Sequence, residues 1–215
     1  MTPEQFSQRW QAQPLPFVAI LRGITPKQAS EAAGILRDNG FRYLEVPLNS
    51  PSPYESIKLM RDVVGDEGYV GAGTVLTVEQ VNKVARVGGQ LIVSPNCDPD
   101  VIRHSQKLGL ISLPGVMTPS EAFNAIVAGA CALKLFPAEQ ITPATLKAYR
   151  AVLPAEISLL PVGGIQPDVA QMQSYLAAGA NGFGLGGGLY QKNMPMTLLR
   201  ERAQAYRQAW RDYVA

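Results

Sequence analysis

Short apolar runs alternate with longer segments of helical period along most of the chain. Eight runs of four to six residues are rich in Val, Ile, Leu or Tyr and are bounded by Gly, Pro, Asn or Ser: 17–21, 43–47, 69–74, 91–94, 110–114, 132–135, 157–162 and 182–185. Runs of this length are typical of strands that are buried on both faces. Successive runs start 19 to 26 residues apart, which is the length of one βα unit.

The segments between the runs carry helix-start signals. Thr25-Pro26 places a capping hydroxyl before a proline at the first helical position. Thr118-Pro119-Ser120-Glu121 has the form of a capping box, and Gln166-Pro167-Asp168 again puts proline at a helix start. Residues 1–13 are predicted to form an extra N-terminal helix, and residues 196–213 a long final helix.

Eight successive βα units predict an α/β fold, a closed (β/α)8 TIM barrel in which residues 1–215 form a single domain. The chain is near the lower size limit of that fold, which requires short loops. An open doubly wound sheet is the alternative. It is less favoured because residues 184–189 lack the third glycine of G-x-G-x-x-G, and no G-x-x-x-x-G-K-[ST] segment occurs.

Composition and charge exclude several classes of function. Hydrophobic residues make up 47% of the chain and charged residues 17%, a balance that excludes wholesale disorder. The net charge of +2 gives no electrostatic reason to expect nucleic acid or an anionic membrane as a partner. No apolar run approaches the roughly 20 residues of a spanning helix, and residues 1–16 lack the apolar centre of a secretory signal. The sequence therefore predicts a cytoplasmic protein.

Metal-ligating side chains are few and scattered. The chain has one histidine, His104, and two cysteines, Cys97 and Cys131, which form no C-x-x-C pair. We therefore predict free thiols, no metal site and no cofactor.

Two charged side chains interrupt predicted buried strands. Glu45 lies in the second run and Lys134 in the sixth. Burial lowers the pKa of a lysine toward the neutral amine that attacks a ketone. Because both strands are even-numbered, their inward side chains share layers of a barrel, which predicts an amine nucleophile beside a proton shuttle. A snorkelling lysine and a purely structural ion pair are the alternatives.

Two glycine-rich loops follow the last two predicted strands. Val162-Gly163-Gly164-Ile165 follows the seventh, and Gly184-Leu185-Gly186-Gly187-Gly188 covers the end of the eighth. Glycine lets backbone N–H groups approach an anion, and barrels commonly bind phosphate at these loops. Three strand ends fit a small anionic substrate: Arg22, Thr74 and Ser94-Pro95-Asn96. Strand-end capping is the alternative for each.

Several of these segments together resemble one enzyme family. The segments are Glu45-Val46-Pro47-Leu48, Gly71-Ala72-Gly73-Thr74-Val75-Leu76, Ser94-Pro95-Asn96, Leu133-Lys134-Leu135-Phe136-Pro137-Ala138-Glu139 and Val162-Gly163-Gly164-Ile165. Their order is that of the 2-keto-3-deoxy-6-phosphogluconate (KDPG) and 4-hydroxy-2-oxoglutarate (KHG) aldolases, and the resemblance extends from residue 17 to the final helix. It implies a homotrimer of small (β/α)8 barrels that acts on a phosphorylated keto-deoxy sugar acid and on pyruvate.

The resemblance also implies a role for each matching residue. Lys134 matches the Schiff-base lysine, and Glu45 matches the general acid/base. Arg22 and Thr74 match positions that hold the pyruvate part of the substrate, and the glycines match the phosphate-binding backbone. The full substrate-binding set is Arg22, Thr74, Pro95, Val162, Gly163, Gly164, Gly186 and Gly187.

Two departures from the phosphogluconate enzymes bear on the substrate. Asn49 stands where those enzymes have arginine, and Val162 where they usually have threonine. At both positions the residue resembles the pattern of the family members that act on phosphogalactonate. The resemblance therefore implies a class I aldolase that cleaves 2-dehydro-3-deoxy-6-phospho-D-galactonate to pyruvate and D-glyceraldehyde 3-phosphate, with Arg22 binding the carboxylate. The alternatives are the same reaction on the gluconate epimer or on 4-hydroxy-2-oxoglutarate, a sugar-phosphate isomerase, and a non-catalytic sugar-phosphate sensor.

Overall fold

The computed structural model describes all 215 residues, and parallel strands form its interior. The strands are β1 (Phe17–Ile20), β2 (Tyr43–Pro47), β3 (Tyr69–Gly73), β4 (Leu91–Val93), β5 (Ile111–Leu113), β6 (Gly115–Val116), β7 (Ala132–Leu135), β8 (Ser158–Pro161) and β9 (Phe183–Leu185). All eight predicted runs are strands, within one residue at each end. The count of eight is wrong, because a further short strand, β6, follows the fifth run. Pro114 separates β5 from β6, since it has no N–H to donate to a neighbouring strand.

Nine α-helices connect and flank the strands: α1 (Pro3–Gln11), α2 (Pro26–Asp38), α3 (Pro53–Val64), α4 (Val78–Arg86), α5 (Pro99–Lys107), α6 (Pro119–Val127), α7 (Pro143–Arg150), α8 (Val169–Ala177) and α9 (Met196–Val214). The N-terminal and final helices are thus confirmed. None of the helices has the length and apolarity that crossing a membrane requires.

The structure confirms some of the predicted helix starts and contradicts one. Thr118 and Glu121 form the predicted capping box, in which each side chain accepts the backbone N–H of the other residue. Thr25 precedes α2 as expected, but its side chain makes no capping hydrogen bond. The predicted helix start at Gln166-Pro167 is wrong. The helix begins at Val169, because the Asp168 side chain accepts the N–H of Gln171 and so caps α8 beyond the proline.

The strands form two hydrogen-bonded sheets in which every pairing is parallel. Six strands run in the order β5-β4-β3-β2-β1-β9, and three run in the order β6-β7-β8. The two sheets are joined to each other at both of their edges, so that together they form one curled sheet. Val162, directly after β8, is bridged to Gly184 in β9, and the N–H of Cys131 donates to the carbonyl oxygen of Ser112 at 2.9 Å. The architecture is therefore an α/β fold with a curled parallel sheet.

Alternate strand residues divide the core into two hydrophobic clusters. The larger cluster joins one set of strand side chains to helices α2 to α9. The smaller cluster contains the intervening strand residues, such as Val18 and Tyr43, and it is covered by Phe6 and Trp10 of α1. Successive strand side chains point to opposite faces, so the smaller cluster marks the inner face of the curled sheet. The Trp10 ring packs 4.9 Å from the Tyr43 ring, which places α1 over one end of that interior.

Candidate active site

Glu45 and Lys134 both lie on the inner face of the curled sheet. Glu45 is two residues after Tyr43 on β2, and Lys134 is two residues after Ala132 on β7, so each shares a face with a member of the smaller cluster. Their exposed fractions are 1% and 7%. Lys134 lies on the seventh strand instead of the predicted sixth, because the short strand β6 follows the fifth run. The predicted common face is nevertheless present.

Burial favours the neutral form of both groups. It raises the pKa of Glu45 to about 7, although the positive charges of Lys134 and Arg22 oppose the change. Burial also lowers the pKa of Lys134. The negative charge of Glu45 opposes this change, and the positive charge of Arg22 adds a smaller contribution to the lowering. A lysine with a lowered pKa supplies an amine nucleophile, and a carboxyl that titrates near neutral pH exchanges protons efficiently. The pair therefore has the electrostatics that imine chemistry requires.

The Glu45 carboxyl packs tightly against β3 while keeping one oxygen unpaired. A Cβ added to Gly73 would lie 1.9 Å from Glu45 Oε2, so only glycine leaves room for this carboxyl. The same Oε2 is buried and has no hydrogen-bond partner in the protein. Lys134 Nζ lies 4.6 Å from the centre of the Phe136 ring, a cation–π distance. Sequence reasoning assigned no role to Gly73, because its importance depends on the side chain opposite it.

A cavity of about 860 Å³ opens at the strand ends beside Lys134. Its lining brings together seven of the predicted site residues: Arg22, Lys134, Val162, Gly163, Gly164, Gly186 and Gly187. Glu45, Thr74 and Pro95 are not among the lining residues. Thr74 directly follows β3 and has a φ of 57°, a left-handed conformation that is unusual for a β-branched residue and occurs mainly at functional or strained positions. Pro95 is half-buried and lies two residues after the end of β4.

The two glycine loops line this cavity with residues whose backbone N–H groups are unpaired. Six amides donate to no acceptor in the protein: those of Gly163, Gly164, Ile165, Gly186, Gly187 and Gly188. The space over Gly186 and Gly187 is open, since no atom lies within 4 Å of a Cβ built at either position. Unpaired backbone N–H groups in glycine-rich loops are suited to binding an anion. Phosphate binding by these loops stays a prediction.

Two cations line the same cavity. Arg22 Nη1 donates to Asn49 Oδ1 at 2.6 Å, so the asparagine orients this guanidinium. Lys192 is a further cation that sequence reasoning missed. Its aliphatic stem lies over Gly23, where an added Cβ would be 3.0 Å from Lys192 Cβ. The cavity thus offers Arg22, Lys192 and the glycine amides to a molecule with more than one anionic group.

The cysteines and the acidic side chains are dispersed in the fold. Cys97 and Cys131 are free thiols, and no three His, Cys, Asp or Glu side chains are grouped so as to hold a metal ion. The functional groups that do converge are an amine, a carboxyl, two further cations and backbone amides.

Comparison with known proteins decides the family. The model of the KDPG and KHG aldolase family matches residues 11–197. The chain belongs to this aldolase family. The protein is therefore an aldolase, a lyase that breaks a carbon–carbon bond, and the family activity is of class I.

The aldolase is similar to proteins of known name and structure over nearly its whole length. It is 44% identical over 206 residues to the 2-dehydro-3-deoxy-6-phosphogalactonate aldolase of Escherichia coli strain K12, covering 96% of this chain and 99% of that protein. A solved structure of native KDPGal has a TM-score of 0.90 at 44% identity, covering 93% of this chain and 96% of that one. The KDPG aldolase of Zymomonas mobilis ZM4, solved with 3-phosphoglycerate, has a TM-score of 0.82 at 27% identity, covering 97% and 98%.

Proposed function

We propose that this aldolase cleaves 2-dehydro-3-deoxy-6-phospho-D-galactonate to pyruvate and D-glyceraldehyde 3-phosphate through an imine on Lys134. The observation that carries the proposal is the buried Lys134 beside the unpaired carboxyl of Glu45, at the edge of a cavity with free glycine amides. The galactonate epimer is supported by the name of the Escherichia coli relative, and by Asn49 and Val162, which depart from the phosphogluconate pattern.

The reaction begins at the C2 ketone of the substrate. The neutral amine of Lys134 attacks C2, and the resulting carbinolamine loses water with a proton supplied by Glu45. The protonated imine withdraws the electrons of the C3–C4 bond. That bond breaks as Glu45, through a water, takes the proton of the C4 hydroxyl and D-glyceraldehyde 3-phosphate leaves. The remaining enamine is protonated at C3, and hydrolysis of the imine releases pyruvate and restores the Lys134 amine.

The cavity positions the two ends of the substrate. Arg22, oriented by Asn49, binds the C1 carboxylate through its guanidinium fork, and Thr74 offers a hydroxyl to the same pyruvate end. The free amides of both glycine loops bind the C6 phosphate. Val162 lines the cavity between these two ends, and Pro95, which lies outside the lining, is expected to approach the carbon chain when substrate is bound. Fixing both ends holds C2 against the Lys134 amine, which lowers the entropic part of the barrier.

We also propose that the two sheets complete one closed (β/α)8 barrel that forms a single domain over residues 1–215. The bridge between Val162 and Gly184 and the hydrogen bond between Cys131 and Ser112 support closure on both sides. A homotrimer is supported by apolar side chains that remain exposed in one subunit, namely Leu76, Met117, Phe123, Val127 and Phe136. We expect the enzyme in the cytoplasm, where phosphorylated metabolites are retained.

Kinetics on the two C4 epimers test the substrate assignment. We expect kcat/KM to be higher for the phosphogalactonate epimer than for the phosphogluconate epimer. Val162→Thr should narrow this preference, because it restores the residue of the phosphogluconate pattern beside Gly163. A wild-type preference for the gluconate epimer would overturn the assignment. Cleavage of 4-hydroxy-2-oxoglutarate with equal efficiency would overturn the role of the phosphate-binding amides.

A further inference from the structure

A second cavity, of about 260 Å³, opens at the end of the sheet opposite the active site. Its walls come from residues that precede strands, namely Pro14 and Leu15 before β1 and the turn 39–42 before β2. Active-site residues such as Arg22 instead follow their strands. Four arginines line this cavity, which we call the arginine pocket: Arg37, Arg42, Arg207 and Arg211.

Two of the four guanidinium groups are fixed in place by the fold. Arg37 donates to the carbonyl oxygen of Val63 at 2.9 Å, and Arg42 donates to the carbonyl oxygen of Arg37 at 2.8 Å. Asp38 lies 3.0 Å from Arg37. Glu67 lies 3.8 Å from Arg37 and 3.7 Å from Arg42. These two carboxylates neutralise part of the charge of the first pair of arginines.

The other two arginines have no compensating partner. Arg207 and Arg211 lie four residues apart on α9, and neither side chain takes part in any of the six ion pairs of the chain. Like charges at this spacing repel and destabilise a helix. Arg211 lies in the last turn of α9, where the helix dipole favours a cation. This does not explain why Arg207 lines the same concave surface, whereas a bound anion would offset the repulsion between the two.

We propose that the arginine pocket binds a compact multivalent anion that carries phosphate or carboxylate groups. Guanidinium forks bind both kinds of oxyanion in bidentate geometry. At ~30 Å³ for each liquid water, the cavity holds the volume of about nine waters, which accommodates an ion the size of pyrophosphate or citrate. The pocket is separate from the phosphate-binding amides of the active site, because it lies at the other end of the strands.

Helix α9 connects the two sites physically. Arg202 donates to the carbonyl oxygen of Gly187 at 3.1 Å, and the Tyr206 hydroxyl donates to the carbonyl oxygen of Ile165 at 2.7 Å. Both carbonyls belong to the loops whose amides face the active-site cavity. Arg207 follows Tyr206 directly, so an anion that orders Arg207 acts on the same turn of helix that holds the first glycine loop.

Calorimetric titration of the full-length protein with pyrophosphate, and separately with citrate, tests the proposal. The test variant is Arg207→Gln/Arg211→Gln, and Arg200→Gln on the exposed side of α9 is the matched control. The active-site amides are intact in all three proteins, so a difference between them reports on the arginine pocket. We expect the double variant to lose at least about tenfold in affinity, the loss of one charge-assisted contact, while the control keeps wild-type affinity.

Four results would overturn or narrow the proposal. Wild-type affinity of the double variant for both anions would refute the site. Binding of pyrophosphate but not citrate would assign phosphate chemistry, and the converse would assign carboxylate chemistry. Thermal unfolding without anion should show no clear loss of stability in the double variant, because the repulsion that is removed offsets the lost interaction of Arg211 with the helix dipole. A clear loss of stability, also present in Arg211→Gln alone, would instead make these arginines structural.

Discussion

Replacing Glu45 with glutamine removes the ionisation of a carboxyl that is only 1% exposed, without changing its size. Its pKa is raised by burial from an ordinary 4.5 to about 7. A folded-state pKa above the unfolded value means that the unfolded chain releases this proton more readily. The wild type therefore loses stability as the pH rises from 4.5 to about 7, and the loss is complete above that range.

The size of this loss follows from the two pKa values. Each unit of difference between the folded and unfolded pKa corresponds to about 1.36 kcal/mol, so the full loss is ~3 kcal/mol. The Glu45→Gln variant has no such loss. Its amide group replaces a carboxyl whose Oε2 is buried and has no hydrogen-bond partner. An unpaired buried amide destabilises the fold, and because the amide does not titrate, this cost is the same at every pH. Only the change with pH therefore reports on the carboxyl.

Urea unfolding of both proteins at pH 4 and pH 8 measures this change. The stability of Glu45→Gln relative to the wild type should be about 3 kcal/mol more favourable at pH 8 than at pH 4. Glu31→Gln, at an exposed position on α2, is the control and should differ from the wild type by less than about 0.5 kcal/mol at either pH. An equal stability difference for Glu45→Gln at both pH values would refute the reasoning that burial sets this pKa.

Two substitutions probe how the site handles its substrate. Lys192→Met keeps the aliphatic stem over Gly23 but removes the cation, so it should raise KM for the phosphorylated acid about tenfold. It should leave exchange of the pyruvate methyl protons unchanged, and an equal loss in both assays would contradict a role toward the phosphate. Gly73→Ala introduces a Cβ 1.9 Å from Glu45 Oε2 and displaces the carboxyl. Its kcat should fall at least about a hundredfold, and an unchanged kcat in a folded variant would exclude Glu45 as the proton carrier.

Periodicity predicts the strands of this chain closely, because each is a short run buried on both faces and bounded by turn residues. The exception is β6, which the pattern does not predict. Pro114 is a typical strand terminator, yet its carbonyl oxygen accepts the N–H of Lys134 at 2.9 Å. Pairing thus continues past the proline into β6, an effect of the neighbouring strand that the local pattern does not contain.

Some residues of the two sites can be predicted from the local sequence, and others can be identified only from the folded structure. Glu45 and Lys134 stand out because a charge within an apolar strand is costly. Lys192 does not, since a lysine in a polar loop is ordinary and only its contact with Gly23 brings it to the cavity. Arg37 and Arg211 are distant in sequence and meet only in the folded chain. Such sites depend on tertiary packing and have no signature along the sequence.

The most direct test of the proposed chemistry is borohydride reduction of the protein in the presence of pyruvate, followed by peptide mass spectrometry. An imine between pyruvate and an amine is reduced to a stable secondary amine. We expect the adduct on Lys134 alone, with Lys192 unmodified and with no adduct in Lys134→Ala. Absence of an adduct on Lys134, in a protein shown to bind pyruvate, would contradict the imine mechanism and favour an isomerase or a sugar-phosphate sensor on the same fold.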